Sequence, residues 1–192
     1  MNAASRTRGG TTLLVASLLL LVATLVEGPL IGASALDPAL FTVFLVAFSL
    51  SLVGYLVAGL LLAAGTSHAA ARVGLILFGV LWLVAQGLFL FGAYFTPSDA
   101  LLLTSTVLSV VQLLGGLVAA IVIGARGLIL GVGRWSLLVG ILVSAVTGGI
   151  ASSAPSAVLL TVMHSISAIG LALVGVTYLV SRSGNGTAAR AR

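Results

Sequence analysis

Few side chains in this sequence could do chemistry, and those that could lie in apolar surroundings. His164 sits in the sixth long apolar stretch, about nine residues from its start and so roughly 13 Å deep at 1.5 Å per residue. Thr161, His164, Ser165 and Ala168 follow the i, i+3, i+4, i+7 spacing that puts them on one face of a helix. Gln86 in the third stretch and Gln112 in the fourth lie at a similar depth. Polar groups facing lipid are costly, so all of these are expected to point into a helix bundle. They could form a polar pathway for protons or a small solute. Interhelical hydrogen bonding, worth about 0.6 kcal/mol per contact, explains them with fewer assumptions, because Gln and Ser need no function to be satisfied inside a bundle. Glu27 is the one acid clearly within an apolar stretch, about six residues from its end, roughly 9 Å. Pro29 follows, removes a backbone donor and can kink a helix there. An intramembrane carboxylate marks a site of proton exchange by default. The competing reading has Glu27 reach the interface, helped by helix distortion at Gly28-Pro29.

Other chemistries lack their residues. The chain has no cysteine, which removes disulfides, thiolate metal sites and a cysteine nucleophile. His68 is expected to be solvated in a loop, far from His164, and two unpaired histidines make a poor metal site. Rhomboid proteases also combine six core spans with a histidine in the sixth. Here the fourth stretch has no Gly-x-Ser-Gly nucleophile motif, and Gly32-Ala33-Ser34-Ala35 ends the first stretch instead. Phosphate loops and carboxylate pairs are absent, so neither enzyme activity nor a cofactor is expected.

The elements that would position these residues follow from composition. Of 192 residues, 60% are hydrophobic and 6% charged, against about 25% charged in a soluble domain. A bilayer suits such a chain, its core taking roughly 20 apolar residues per helix. The spans read as Thr12–Ala33, Ala39–Ala64, Arg72–Phe95, Ala100–Ala125, Val132–Ala151 and Ser156–Val180, with mobile tails at residues 1–11 and 181–192. Six spans put all eight Arg on one side: Arg6, Arg8, Arg72, Arg126, Arg134, Arg182, Arg190 and Arg192. Glu27, Asp37 and Asp99 then fall on the other. An excess of Arg marks the cytoplasmic face, so both termini are expected in the cytoplasm. Arg134-Trp135 reads as an anchor at the headgroups. The scattered Arg form no basic run, which argues against nucleic acid. Arg without Lys, with abundant Ala, Gly and Val, is the bias of a GC-rich bacterial genome, hence a bacterial inner membrane. Small-residue pairs at Gly28/Gly32, Gly59/Ala63, Gly116/Ala120 and Ala168/Ala172 allow close helix packing or a homo-oligomer.

Pro38, Pro97 and Pro155 each precede an even-numbered span, about 58 residues apart. Arg72, Arg126 and Arg182 follow those spans, and Gly32, Gly92 and Gly149 precede the prolines. The third and fifth spans share Gly-Leu-Ile-Leu followed by Trp82 or Trp135. The expected fold is an all-α membrane bundle of three tandem hairpins, 12–64, 72–125 and 132–180. The run Trp135, Gly140-Ile141-Leu142, Gly148-Gly149, Pro155, Gly175-Val176, Leu179-Val180 and Arg182 resembles the HdeD/DUF308 membrane proteins, a likeness that covers roughly Arg72 to Arg182. The His164-Ser165-x-Ser167-Ala168 segment and the chain length are also similar to the DUF998-type membrane proteins. The first resemblance implies six spans in three hairpins, no enzyme activity and a part in envelope or acid-stress physiology. A small-solute or proton-linked transporter using Glu27, Gln86, Gln112 and His164 is the alternative.

Overall fold

The computed structural model describes residues 1–31, 37–151, 153 and 156–183, and nearly all of them are helical. In chain order come α1 (Ala3–Leu30), α2 (Pro38–Ala64), α3 (Ala69–Leu90) with a π-helical turn (Phe91–Phe95), and α4 (Asp99–Ala125). Then follow β1 (Ile129–Leu130), a 3-10 turn (Gly131–Arg134), α5 (Ser136–Ala151), α6 (Ala157–Val180) and β2 (Arg182–Ser183). Five of the helices are long and apolar enough to cross a membrane, counting the π turn with α3. The exception is α5, with 16 residues.

Capping chemistry sets the helix starts. Asn2 Oδ1 accepts from Ser5 N–H at 2.7 Å, and Asp37 accepts from Ala39 and Leu40 with Pro38 at the first helical position. Ser98 and Ser156 cap α4 and α6 in the same way. Pro97 therefore stands just before a cap, whereas Pro38 stands just after one. Pro155, Gly32, Arg190 and Arg192 lie outside the described residues, as does the Gly32–Ala35 segment.

Three antiparallel pairs, α1/α2, α3/α4 and α5/α6, are joined through α2/α3 and α6/α1, with a thinner seam between α4 and α5. Glycines set the helix separations. A Cβ on Gly59 would meet the Leu75 carbonyl and the Gly79 backbone, and one on Gly175 would meet the Gly10 carbonyl and Leu14 N. These are backbone-to-backbone approaches that larger residues forbid. Gly59, Ala63, Gly116, Ala120 and Ala168, expected to serve packing or an oligomer, are buried within the chain itself. The outward face is apolar instead. Leu103 is 67% exposed and Val158 74%, as suits lipid rather than water.

The two ends differ in charge. The starts of α1, α3 and α5 and the finishes of α2, α4 and α6 share one end, which carries Arg6, Arg8, Arg72, Arg126, Arg134 and Arg182. Glu27, Asp37 and Asp99 lie at the other.

Several expectations need correction. Residues 1–11 are not a free tail: α1 begins at Ala3, and Arg6 is buried with its Nη1 donating to the Tyr178 carbonyl at 2.8 Å. Gly9 and Gly10 allow that approach, packing against Leu62 and Tyr178. Residues 182–183 are likewise ordered, because Arg182 and Ser183 pair with Leu130 and Ile129. The span expected from Val132 starts as an α-helix only at Ser136, since residues 131–134 form a 3-10 turn that opens at Gly131, whose φ is +73°. His68 is half-buried rather than solvated, with its Nδ1 enclosed and unpartnered among the described residues.

Candidate functional site

Glu27 occupies the last turn of α1 and is 8% exposed. Its partner comes from the π turn that prolongs α3, a wider turn of the kind often found at functional positions. The Tyr94 hydroxyl donates to Glu27 Oε1 at 2.7 Å. The Tyr94 ring lies 5.7 Å from Phe41 and 5.3 Å from Phe44, both on α2, and Phe95 stands 6.4 Å from Phe41. The Tyr94 ring that reaches the Glu27 carboxyl thus packs on aromatic rings of α2. Its distance from Arg6 is about 30 Å along α1. A neutral carboxyl accepts this bond at its carbonyl oxygen as a carboxylate does, so the pair holds in either protonation state.

The α6 stripe faces α1 beside this pair. A Cβ on Gly28 would lie 2.6 Å from Thr161 Oγ1, and the antiparallel register continues through Leu14/Gly175 and Gly10/Tyr178. That register sets Ser165 level with Thr24, whose hydroxyl donates to the Leu20 carbonyl at 2.9 Å. Ala168 is fully buried and His164 half-buried. The hydroxyls of Thr161 and Ser165 are enclosed without a hydrogen-bond partner among the described residues. Glu27 and His164 therefore lie near one end of the α1/α6 pair, with no hydrogen bond between them among the described residues.

The glutamines lie elsewhere. Gln112 is 2% exposed and Gln86 half-buried, on the adjacent helices α4 and α3, and neither side chain is hydrogen-bonded among the described residues. The main partners of α6 are α1 and α5, so His164 is not gathered with the glutamines. Depth in the sequence matched these residues, but position around the bundle separates them.

Mid-bundle hydrogen bonds come from residues to which the sequence reading gave no bonding role. Ser17 Oγ and Tyr55 Oη lie 2.9 Å apart and join α1 to α2. Tyr55 rests on Trp82 of α3 with ring centroids 4.5 Å apart, and Trp82 Nε1 is enclosed without a partner among the described residues. Ser167 donates to Ser144 at 2.9 Å and ties α6 to α5. The mid-helix placement of Ser17 and Tyr55 in otherwise apolar runs was the available signal.

At the Arg-rich end, Arg134 Nε donates to the Gly124 carbonyl at 2.8 Å, and the guanidinium lies 5.7 Å from the centre of the Trp135 ring. Trp135 packs directly on Gly124, where any Cβ would collide with its ring. Two open grooves also lie at this end. One of about 310 Å³ runs by Ala63 and Arg72, and one of about 320 Å³ by Gly140 and Gly170. Neither is lined by Glu27, His164, Gln86 or Gln112. Among the described residues no group of three or more His, Asp or Glu could hold a metal.

The fold and these contacts define an apolar helical bundle compatible with a multi-pass membrane protein. Searches of family models, curated proteins and solved structures find no match to the chain.

Proposed function

We propose that the chain is a six-span bacterial inner-membrane protein of three hairpins, with both termini in the cytoplasm and no catalytic activity. In this reading it is HdeD-like and serves envelope or acid-stress physiology. A sixth crossing is supported by length. The 16 residues of α5 reach about 24 Å, short of a hydrocarbon core of about 30 Å by an amount that local thinning of the bilayer accommodates. Orientation is supported by the Arg-rich end, which the positive-inside rule places in the cytoplasm. The HdeD likeness is supported by the hairpin pairing of successive helices.

One observation carries the non-catalytic reading. The ionisable and amide side chains of the interior are distributed over separate helix seams, with Glu27 bonded to Tyr94, the glutamines on α3 and α4, and His164 on α6. Nucleophile–base chemistry needs groups within hydrogen-bond reach of each other, and this distribution favours packing instead.

Proton-linked transport is the second reading. It is favoured by the enclosed Glu27 beside a stripe with two hydroxyls, Thr161 and Ser165, that have no partner among the described residues. Replacing Glu27 with Gln removes the titration while keeping size and hydrogen bonding. Survival after acid shock separates the readings. If Glu27→Gln folds and survives as wild type, and His164→Leu does too, transport through this pair is refuted. If Glu27→Gln folds normally but loses survival, the packing reading fails.

A further inference from the structure

The groove between α5 and α6 has the form of a lipid-chain site. Its floor is Gly140 and Gly170, its walls are Val139, Val143 and Leu173, and Trp135 stands at its mouth. From Trp135 to Val143 it runs roughly 12 Å along the helix, close to the half-thickness of about 15 Å that one leaflet contributes to the hydrocarbon core. The groove opens outward, toward what would be lipid, and ends at the Arg-rich face. Two cations stand at this end of the α5/α6 pair. Arg134 lies over Trp135, with its Nε engaged by the Gly124 carbonyl. Arg182 follows Ser181, whose hydroxyl accepts from Gly133 N–H at 2.9 Å and ties the finish of α6 to the 3-10 turn. The acids of the described residues are at the far end of the bundle, so the charge at the mouth is left to an external anion.

We propose that this groove seats one acyl chain of an anionic phospholipid, with its phosphate at Arg134 and Arg182. The apolar channel sets depth, Trp135 sits at the headgroup boundary as amphipathic rings do, and basic residues at a membrane surface attract anionic headgroups. The site is independent of Glu27 and rests on the proposed crossing of α5.

Trp135 is its own reporter, because brominated acyl chains quench a nearby indole. A Trp82→Phe background leaves Trp135 as the sole tryptophan. The protein is reconstituted in mixtures of phosphatidylglycerol and phosphatidylcholine, with bromine on the acyl chains of one lipid and then of the other. Brominated phosphatidylglycerol is expected to quench more strongly at equal mole fraction, with a preference of about fivefold per Arg. Arg134→Gln with Arg182→Gln should bring the ratio close to one. Gly170→Leu, which fills the floor, should lower it with both Arg in place. Equal quenching by the two lipids overturns the proposal. So does a preference that survives loss of both Arg. A preference lost with the Arg but untouched by Gly170→Leu also overturns it, because it shows charge attraction at the interface without a seated chain. Should Gly170→Leu fail to fold, Val139→Phe, on the groove wall, takes its place.

Discussion

Replacing Gly74 with Ala puts one methyl group into the seam between α3 and α4. A Cβ there collides with the Gly115 carbonyl and lies 3.0 Å from both the Cβ and the backbone N of Ala119. Two of these three neighbours are backbone atoms of a helix, which cannot rotate aside, so the helices must separate or the seam must strain. Overpacking of this kind costs about 1–3 kcal/mol. Ala is also a better helix former than Gly by roughly 0.5–1 kcal/mol, which would offset part of that loss. Gly87→Ala on the same helix supplies the control, because nothing lies within 4 Å of its Cβ. The propensity gain is common to both variants, so their difference isolates the collision: Gly74→Ala should be less stable than Gly87→Ala by about 1–3 kcal/mol. Reversible unfolding in mixed micelles with a rising fraction of denaturing detergent measures it. Equal stabilities, or a more stable Gly74→Ala protein, would refute the close packing of α3 on α4.

A double-mutant cycle with Ser17→Ala and Tyr55→Phe should give a coupling of about 0.6 kcal/mol, within the range seen for hydrogen bonds between membrane helices, and the same unfolding assay reads it. Tyr94→Phe removes the one side-chain hydrogen bond of Glu27 among the described residues and should cost about 1–3 kcal/mol, whereas Glu27→Gln keeps an acceptor for Tyr94 and should cost less. Equal losses from these two variants would mean that the charge of Glu27, rather than its bond to Tyr94, holds this end of α1. His164 makes no side-chain hydrogen bond among the described residues, so His164→Leu should change stability by less than the roughly 0.6 kcal/mol of one interhelical hydrogen bond.

The apolar runs of this sequence show the helices, because nothing but a bilayer suits so few charges. The α2, α4 and α6 boundaries fall within a residue of those expected, since Asp37, Ser98 and Ser156 cap them next to sharp changes in hydropathy. The start of α1 was not legible in hydropathy, because Arg6 and Arg8 read as a solvated tail. Only the approach of Gly9 and Gly10 to α2 and α6 lets that turn pack. The site was legible in depth and not in direction. Gln86, Gln112 and His164 lie within the helices expected for them, and Glu27 falls in the last turn of α1, but these helices are apolar all round. Such helices carry no polar stripe to tell which face meets which neighbour. The Tyr94 partner of Glu27 lies 67 residues away in sequence, and its direction depends on a π turn that no propensity signals.

The crossing of α5 tests the six-span account most directly, because α5 is the short helix and every later segment depends on it. Reporter fusions at Ala125 and Ser153 bracket it, with Thr66 and Arg192 as cytoplasmic companions and Asp37 and Asp99 as outer ones. Ala125 is expected to report cytoplasm and Ser153 the outside, with Arg192 back in the cytoplasm. If Ala125 and Ser153 report the same side, α5 does not cross, the Arg residues no longer share one face, and the account is wrong.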